Sequence, residues 1–163
     1  MIPLGLIAFF AVLVSAALRE SAAQVSPAIG KPAPEVDLVI LSDDLELDEL
    51  QRLPDGKVTL VHFWGTWCGP CRMEYPNLSV MTMRMKADER FQFVPVTCER
   101  GPDETFEGLW GKTKEYFREA GIADQTAFAD PRGVTRRSLK ERLETSSLYY
   151  PTSILIDHQG KIA

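Results

Sequence analysis

The pattern of hydrophobic and polar positions divides the chain into an apolar start and a later alternation of strands and helices. Residues 2–18 are apolar, and the first charge is Arg19. This length suits the core of a signal peptide and lies near the lower limit for a membrane span. We therefore predict that residues 1–23 form a signal peptide or an N-terminal membrane anchor, with a buried structural helix as the remaining alternative. Residues 24–35 are rich in Pro and Gly and predict a linker.

Short apolar runs mark the strands from residue 36 onward. The predicted strands are residues 36–41, 57–64 and 91–98, a short run within 126–133, and residues 152–157. The nearly continuous apolar run at 57–64 indicates a strand that is covered on both faces. Pro95 argues against a central position for the second half of its strand, because proline cannot donate to a ladder. The alternation of strands and helices predicts α/β layers on a largely parallel sheet.

Helical periodicity follows the two closely spaced cysteines. Leu78, Met81 and Met85 recur on one face, and the helix is predicted to end near Arg90. Pro76 lies inside this helix and predicts a kink. Methionine on a helix beside a sheet is usually a core residue, so we assign four methionines to the core rather than to a soft-metal site: Met73, Met81, Met83 and Met85.

Two more helices and a turn complete the predicted elements. A helix opens after residues 101–104 and stops at Gly121. Its predicted buried face consists of Phe106, Trp110, Thr113 and Phe117. Residues 134–144 predict a charged helix, and residues 158–160 a hairpin-like turn. A strand and a helix are expected after that turn and are missing from the sequence, which predicts an uncovered strand edge and suggests a fragment.

Composition narrows the class of protein. A length of 163 residues suits one domain, and 45% hydrophobic with 25% charged residues is typical of a globular chain. The formal net charge of −5 argues against nucleic acid or an anionic membrane surface as the main partner.

The candidate chemistry lies in the stretch GTWCGPC. Cys68 follows a predicted strand and precedes a helix, where the positive end of the helix dipole favours the reactive thiolate. Cys71 lies one turn further in and is expected to be more buried. Gly69 and Pro70 make the turn tight and start the helix. This asymmetry suits a two-step exchange, in which Cys68 attacks a disulfide and Cys71 resolves the mixed disulfide.

Two other interpretations of the cysteine pair are weighed against a redox-active dithiol. A zinc site needs about four ligands, and beyond the three cysteines the chain offers only His62 and His158. A structural disulfide this short adds little loop-closure entropy. We therefore expect a redox dithiol with no metal and no cofactor other than its own disulfide. Trp64 and Trp67 are expected to flank it.

The motifs around this pair resemble a known family. FWGTWCGPC is similar to the active-site stretch of the thioredoxin superfamily, and IGKPAPEVDL and YPTSILIDHQGKI resemble its exported, often membrane-tethered TlpA-like branch. The resemblance covers residues 29–163. It implies a thioredoxin-like fold over residues 36–163, with a central mixed sheet flanked by helices and lacking the final strand and helix.

The resemblance also implies roles for single residues. Pro151 matches the family's cis-proline, which lies beside the cysteines and helps the substrate chain pair as a strand, with a trans proline at a strand start as the alternative. Tyr150 and Thr152 are expected to bind the substrate with it, although Tyr150 could also be a packed loop aromatic. Glu74 matches an acid that could tune or relay protons to the thiols, or it is a solvated helix charge. His62 stands where thioredoxins carry a buried Asp and many TlpA-like proteins carry Asn. It could take a proton from the second cysteine, or it is a satisfied core residue.

These observations predict an extracytoplasmic thiol–disulfide oxidoreductase that reduces protein disulfides. Its partners would be client thiols and disulfides and a membrane thiol electron donor, with a tether through residues 2–18 and no nucleic acid. Cys98 is assigned to packing, with a secondary thiol as the alternative. A non-catalytic binding module remains open. A thiol peroxidase is disfavoured, because no cysteine carries the Pro-x-x-x-Thr-x-x-Cys pattern.

Overall fold

The computed structural model describes residues 26–44, 50–53, 55–122 and 125–163. The predicted signal peptide or anchor, residues 1–23, lies outside the described residues. Among the residues that are described, no helix is both long enough and apolar enough to cross a membrane.

Five strands form one mixed sheet in the described part of the chain. The strands are β1 Val39–Ile40, β2 Val58–Trp64, β3 Phe91–Thr97, β4 Phe128–Ala129 and β5 Thr152–Ile156. Their order across the sheet is β1-β4-β3-β2-β5. The β2, β3 and β4 strands run parallel, while β1 and β5 pair antiparallel with their neighbours. The predicted mixed sheet is confirmed, and β2 leads directly into the two cysteines.

The expectation that Pro95 removes half of its strand from the sheet centre is wrong. The whole of β3 lies between β2 and β4, and Pro95 stands opposite His62 in the parallel ladder with β2. Proline is tolerated here because β4 is very short. The β3–β4 register consists of the single pair Val96 and Phe128, so little of a second ladder is lost.

Three helices with described bounds pack against this sheet: α1 Gly69–Met85, α2 Phe106–Glu119 and α3 Val134–Leu143. Thr105 caps α2 by accepting a hydrogen bond from the Gly108 amide at 3.1 Å. Gly121, with a φ of 67°, follows its end as predicted. The buried face of α2 includes Thr113 and Phe117 as predicted, whereas Phe106 and Trp110 are only half-buried.

Two predictions about α1 are wrong. The helix ends at Met85 rather than near Arg90, and its buried face consists of Cys71, Tyr75, Ser79 and Thr82. The four methionines of this segment are all exposed, by 41% or more of their surface. The phase of the helix is set by Cys71, which enters the core directly after the turn from β2, and positions four and eight residues later follow it inward.

The core forms two layers, one on each face of the sheet. The layer that contains α1 and α2 gathers Trp64, Tyr75 and Phe117, with ring centroids of Trp64 and Tyr75 4.0 Å apart. The other layer packs Leu139 of α3 against residues of β2, β3 and β5. The β2 strand is therefore covered on both faces, as its apolar run predicts.

The described ends of the chain pair with each other beside β5. The predicted turn at residues 158–160 is present, and Ile162 then pairs antiparallel with Ile156. The Gly30 amide donates to the carbonyl of Ile162 and the Ala33 amide to that of Gly160, each at 2.8 Å. The edge that the sequence predicted to be uncovered is thus paired at its end around Ile156.

Candidate active site

Cys68 begins helix α1 at the end of strand β2. It is the N-cap residue, with φ −90° and ψ 108°, and Gly69 and Pro70 form the first helical positions. The amide of Cys71 points at the Sγ atom of Cys68 at 3.3 Å. A sulfur at this position faces the unpaired amides and the positive end of the helix dipole, which stabilise a thiolate.

Cys71 lies behind Cys68 in the core. Its side chain is 0% exposed, compared with 6% for Cys68, and a disulfide bond joins the two sulfurs. The predicted order of burial is therefore confirmed. Of the two sulfurs, Cys68 is the one that a second polypeptide can reach.

The loop before β5 reaches the same place from the other side. The peptide bond between Tyr150 and Pro151 is cis, as the resemblance implies. The carbonyl oxygen of Tyr150 lies 3.5 Å from the Sγ atom of Cys68. The two segments, far apart in sequence, thus meet at the reactive sulfur.

Trp67 forms an exposed wall of this site. Its side chain is 40% exposed, its ring lies edge-on to that of Tyr150 at 5.5 Å, and its indole N–H donates to the carbonyl of Cys98 at 3.0 Å. A Cβ atom on Gly65 would lie 2.6 Å from the Trp67 Nε1 atom. Gly65 therefore has to be glycine for the indole to fold back onto the end of β3. Trp64, by contrast, lies wholly beneath the site in the core.

A polar cluster lies behind Tyr150 at the end of β3. The Tyr150 hydroxyl lies beside the Cys98 thiol and the Arg136 guanidinium. Arg136 also donates to the carboxylates of Glu99 at 2.8 Å and Asp130 at 3.1 Å. Burial raises the pKa of the Cys98 thiol to about 12, although the charge of Arg136 opposes this. Cys98 is therefore a protonated thiol at neutral pH, which favours the packing role over that of a secondary thiol.

His62 is fully buried on the α1 face of β2. Its Nδ1 atom lies 2.8 Å from the hydroxyl of Ser153, and its Nε2 atom has no hydrogen-bond partner within the described part of the chain. Burial lowers the pKa of His62 to about 4, so the imidazole is neutral at pH 7. Its role as proton acceptor for Cys71 stays a prediction.

The comparisons with known proteins agree with this geometry. The sequence model of the AhpC/TSA family matches residues 29–163. The chain belongs to the AhpC/TSA family. Among its curated relatives is the thiol:disulfide interchange protein DsbE homolog of Paracoccus denitrificans, which is 30% identical over 99% of this chain and 80% of the relative. HelX of Rhodobacter capsulatus, a thiol:disulfide interchange protein, is 38% identical over 82% of this chain and 64% of its own length.

A solved structure supports the fold of this AhpC/TSA family member. The thioredoxin domain of a thiol-disulfide oxidoreductase from Bacteroides vulgatus superimposes with a TM-score of 0.54 at 25% identity, over 83% of this chain and 86% of that one. The resemblance to the thioredoxin superfamily, the thioredoxin-like fold and the class of thiol–disulfide oxidoreductase are thereby confirmed.

The remaining predicted site residues differ in how close they lie to the dithiol of this family member. Thr152 begins β5 directly after the cis-proline, and its hydroxyl donates to the carbonyl of Tyr149. Glu74 is exposed on α1, and within the described residues its side chain has no hydrogen bond or ion pair. This placement favours the solvated helix charge.

No group of three or more His, Cys, Asp or Glu side chains in the described part of the chain is arranged to hold a metal.

Sequence reasoning missed Gly65 and the cluster behind Tyr150. The stretch WGTW carries no local signal for Gly65, because its role depends on the Trp67 indole folding back onto the end of β3. The approach of Arg136 and Glu99 to Tyr150 carries no local signal, because the three residues come from a helix, a strand end and a loop that are distant in sequence.

Proposed function

We propose that this protein reduces disulfide bonds of client polypeptides outside the cytoplasm, with Cys68 as the nucleophile and Cys71 as the resolving thiol. The observation that carries the proposal is the position of Cys68 at the start of α1, 3.5 Å from the Tyr150 carbonyl and in front of a fully buried Cys71. The segment from Tyr150 to Thr152 would hold the client as an extended strand beside the attacking sulfur.

The exchange balances in two steps. The Cys68 thiolate attacks one sulfur of the client disulfide, so that a Cys68–client bond forms, the client S–S bond breaks, and the leaving client thiolate takes a proton from water. Cys71 then gives up its proton and attacks the Cys68 sulfur. The Cys68–Cys71 bond forms and the second client thiolate leaves and is protonated. The client gains two electrons and the dithiol loses two.

Continued turnover requires a thiol electron donor. Disulfides persist in an oxidising compartment, so we propose that a membrane thiol protein returns two electrons to the Cys68–Cys71 disulfide. The apolar residues 2–18 support export or a membrane tether, and the CGPC sequence favours reduction over oxidation. The dithiol needs no other cofactor for this chemistry.

A reductase assay tests the proposal. A protein disulfide is offered to the wild type, Cys68→Ser and Cys71→Ser, with dithiothreitol as the electron source. We expect turnover above the dithiothreitol background only with the wild type. When pre-reduced Cys71→Ser is mixed with the client after dithiothreitol has been removed, we expect a trapped mixed disulfide at Cys68. Equal activity of all three proteins contradicts the proposal. A redox titration then gives the direction, since a potential near about −270 mV marks a reductant and one near about −120 mV an oxidant.

A further inference from the structure

A cavity opens on the far side of Tyr150 from the dithiol. It has a volume of about 330 Å³ and is lined by Gly133, Arg136, Arg137, Lys140, Leu148 and Tyr150. Three of these six residues are cationic. The protein as a whole carries a formal net charge of −5, so this concentration of positive charge runs against its overall balance.

Two of the three cations have no compensating partner among the residues that the structure describes. Arg136 is paired with Glu99 and Asp130. Arg137 and Lys140 form no ion pair or side-chain hydrogen bond with any described residue, and they lie three positions apart on one face of α3. Within the described part of the chain, the lining therefore presents two positive charges without an ion-pair partner to a ligand that enters the cavity.

The backbone amides at the start of α3 do not contribute to the positive charge of the cavity. The amides of Thr135 and Arg136 in its first turn already donate to the carboxylate of Asp130, at 3.3 and 2.8 Å. Their donor capacity is therefore used within the fold, and the side chains of Arg137 and Lys140 are what a ligand would meet.

Tyr150 is the wall that the cavity shares with the dithiol. Its carbonyl lies 3.5 Å from the Cys68 sulfur, its ring packs against Trp67, and its hydroxyl lies beside Arg136. An extended chain advances about 3.3 Å per residue, so a client residue two or three positions from the reacting cysteine lies about 7–10 Å from it along the chain.

We propose that this cavity binds a carboxylate side chain of the client polypeptide, so that the protein prefers disulfides flanked by Asp or Glu. Arg137 and Lys140 would supply the charge, and Leu148 with the Tyr150 ring would cover the methylene groups of the bound side chain. The proposal rests on the proposed function, because it assigns a substrate class to the same site.

Two synthetic peptides test the preference. Each carries one internal disulfide, and they differ only in having two Glu or two Gln residues near one cysteine. We expect the pre-reduced wild type to reduce the Glu peptide in a single exchange with a second-order rate constant about three- to tenfold higher, as two partly exposed ion pairs allow. In the double variant Arg137→Gln/Lys140→Gln we expect the ratio to fall to about 1.

Arg84→Gln/Lys86→Gln is the matched control, because it removes the same charge at the exposed end of α1 and should keep the wild-type ratio. A ratio near 1 in the wild type, or an undiminished ratio in the double variant, overturns the proposal. If the double variant fails to fold, the ratio of the Glu-peptide rate to the Gln-peptide rate in the wild type decides. This ratio should fall towards 1 as the salt concentration rises from about 10 mM to 1 M, because salt screens ion pairs. A ratio that stays constant overturns the proposal. Failure to reduce either peptide would instead contradict the proposed function.

Discussion

The cysteines of this protein occupy two environments that meet at Tyr150. Cys68 lies at the start of α1 beside the Tyr150 carbonyl, with Cys71 one turn behind it. Cys98 lies at the end of β3 beside the Tyr150 hydroxyl, fully buried and without a disulfide. All three side chains are 6% exposed or less, so burial alone does not distinguish them.

The difference lies in what surrounds each sulfur. The amides at the start of α1 offer hydrogen bonds and a positive potential to a thiolate at Cys68. Cys98 has a nearby cation in Arg136, yet its pKa rises to about 12, because the loss of hydration outweighs that attraction. Arg136 is also paired with Glu99 and Asp130, which weakens its effect on the thiol. Position at a helix start therefore decides which thiol reacts.

Removing each sulfur in turn tests this comparison most directly. Cys68→Ala should lower disulfide reductase activity by about 1,000-fold or more, because the nucleophile is lost. Cys98→Ala should keep activity within about twofold and lower the free energy of unfolding by about 1 kcal/mol, since a small buried group is lost. Steady-state assays and urea denaturation measure both effects. A comparable loss of activity in Cys98→Ala would break the comparison.

Alkylation of the reduced protein sharpens the comparison between Cys68 and Cys98. At pH 8 a thiol with a pKa of about 12 is almost entirely protonated, whereas an unfolded cysteine is partly thiolate. Iodoacetamide should therefore modify Cys98 about 1,000-fold more slowly in the native protein than in urea. Cys68 should react first in the native protein. Mass spectrometry of peptides at timed intervals gives both rates, and early modification of Cys98 would contradict its assignment as an inert thiol.

The reactive environment could be predicted from sequence, and the inert one could not. CGPC after an apolar strand specifies a helix start from local signals, whereas the facing loop at Tyr150-Pro151-Thr152 follows from the resemblance to the thioredoxin superfamily. The surroundings of Cys98 depend on Arg136 and Tyr150, which reach it only through the tertiary fold. No spacing in the sequence links these residues.

Helix α1 shows a second limit of sequence reasoning. The periodic Leu78, Met81 and Met85 gave the correct element with the wrong buried face, because hydrophobic period alone does not fix the phase of a helix against its sheet. The turn at Cys71 fixes that phase. The prediction for Pro95 failed for a similar reason. The number of ladder hydrogen bonds that this proline removes depends on the length of the neighbouring strand β4.

His62 extends the comparison to a second buried titratable group. Its pKa is about 4 in the folded protein and about 6.5 when unfolded, so between these values the unfolded state binds more protons and stability falls as pH falls. Between pH 6.5 and pH 4.5 the free energy of unfolding should therefore fall by about 2–3 kcal/mol. The loss should be absent in His62→Asn and unchanged in the exposed control His158→Asn, measured by urea denaturation. An equal loss in His62→Asn would show that burial does not hold this imidazole neutral.

Gly65→Ala tests the role of the Cys98 backbone carbonyl separately from the role of the Cys98 thiol. The new Cβ would lie 2.6 Å from Nε1 of Trp67, so the indole must leave the Cys98 carbonyl and its edge-on contact with Tyr150. We expect kcat/KM for a protein disulfide to fall about threefold to tenfold, as the loss of one hydrogen bond and one aromatic contact implies. A small aliphatic disulfide, which does not need the Trp67 wall, should change less than about twofold.

Acrylamide quenching should rise in Gly65→Ala, because Trp67 becomes more exposed. Gly111→Ala is the control, since a Cβ there meets nothing within 4 Å and should alter neither quenching nor rate. If Gly65→Ala weakens client turnover while Cys98→Ala does not, the end of β3 serves the site through its carbonyl and not through its sulfur. Equal effects on the protein and the small disulfide would show instead that the substitution disturbs the dithiol itself.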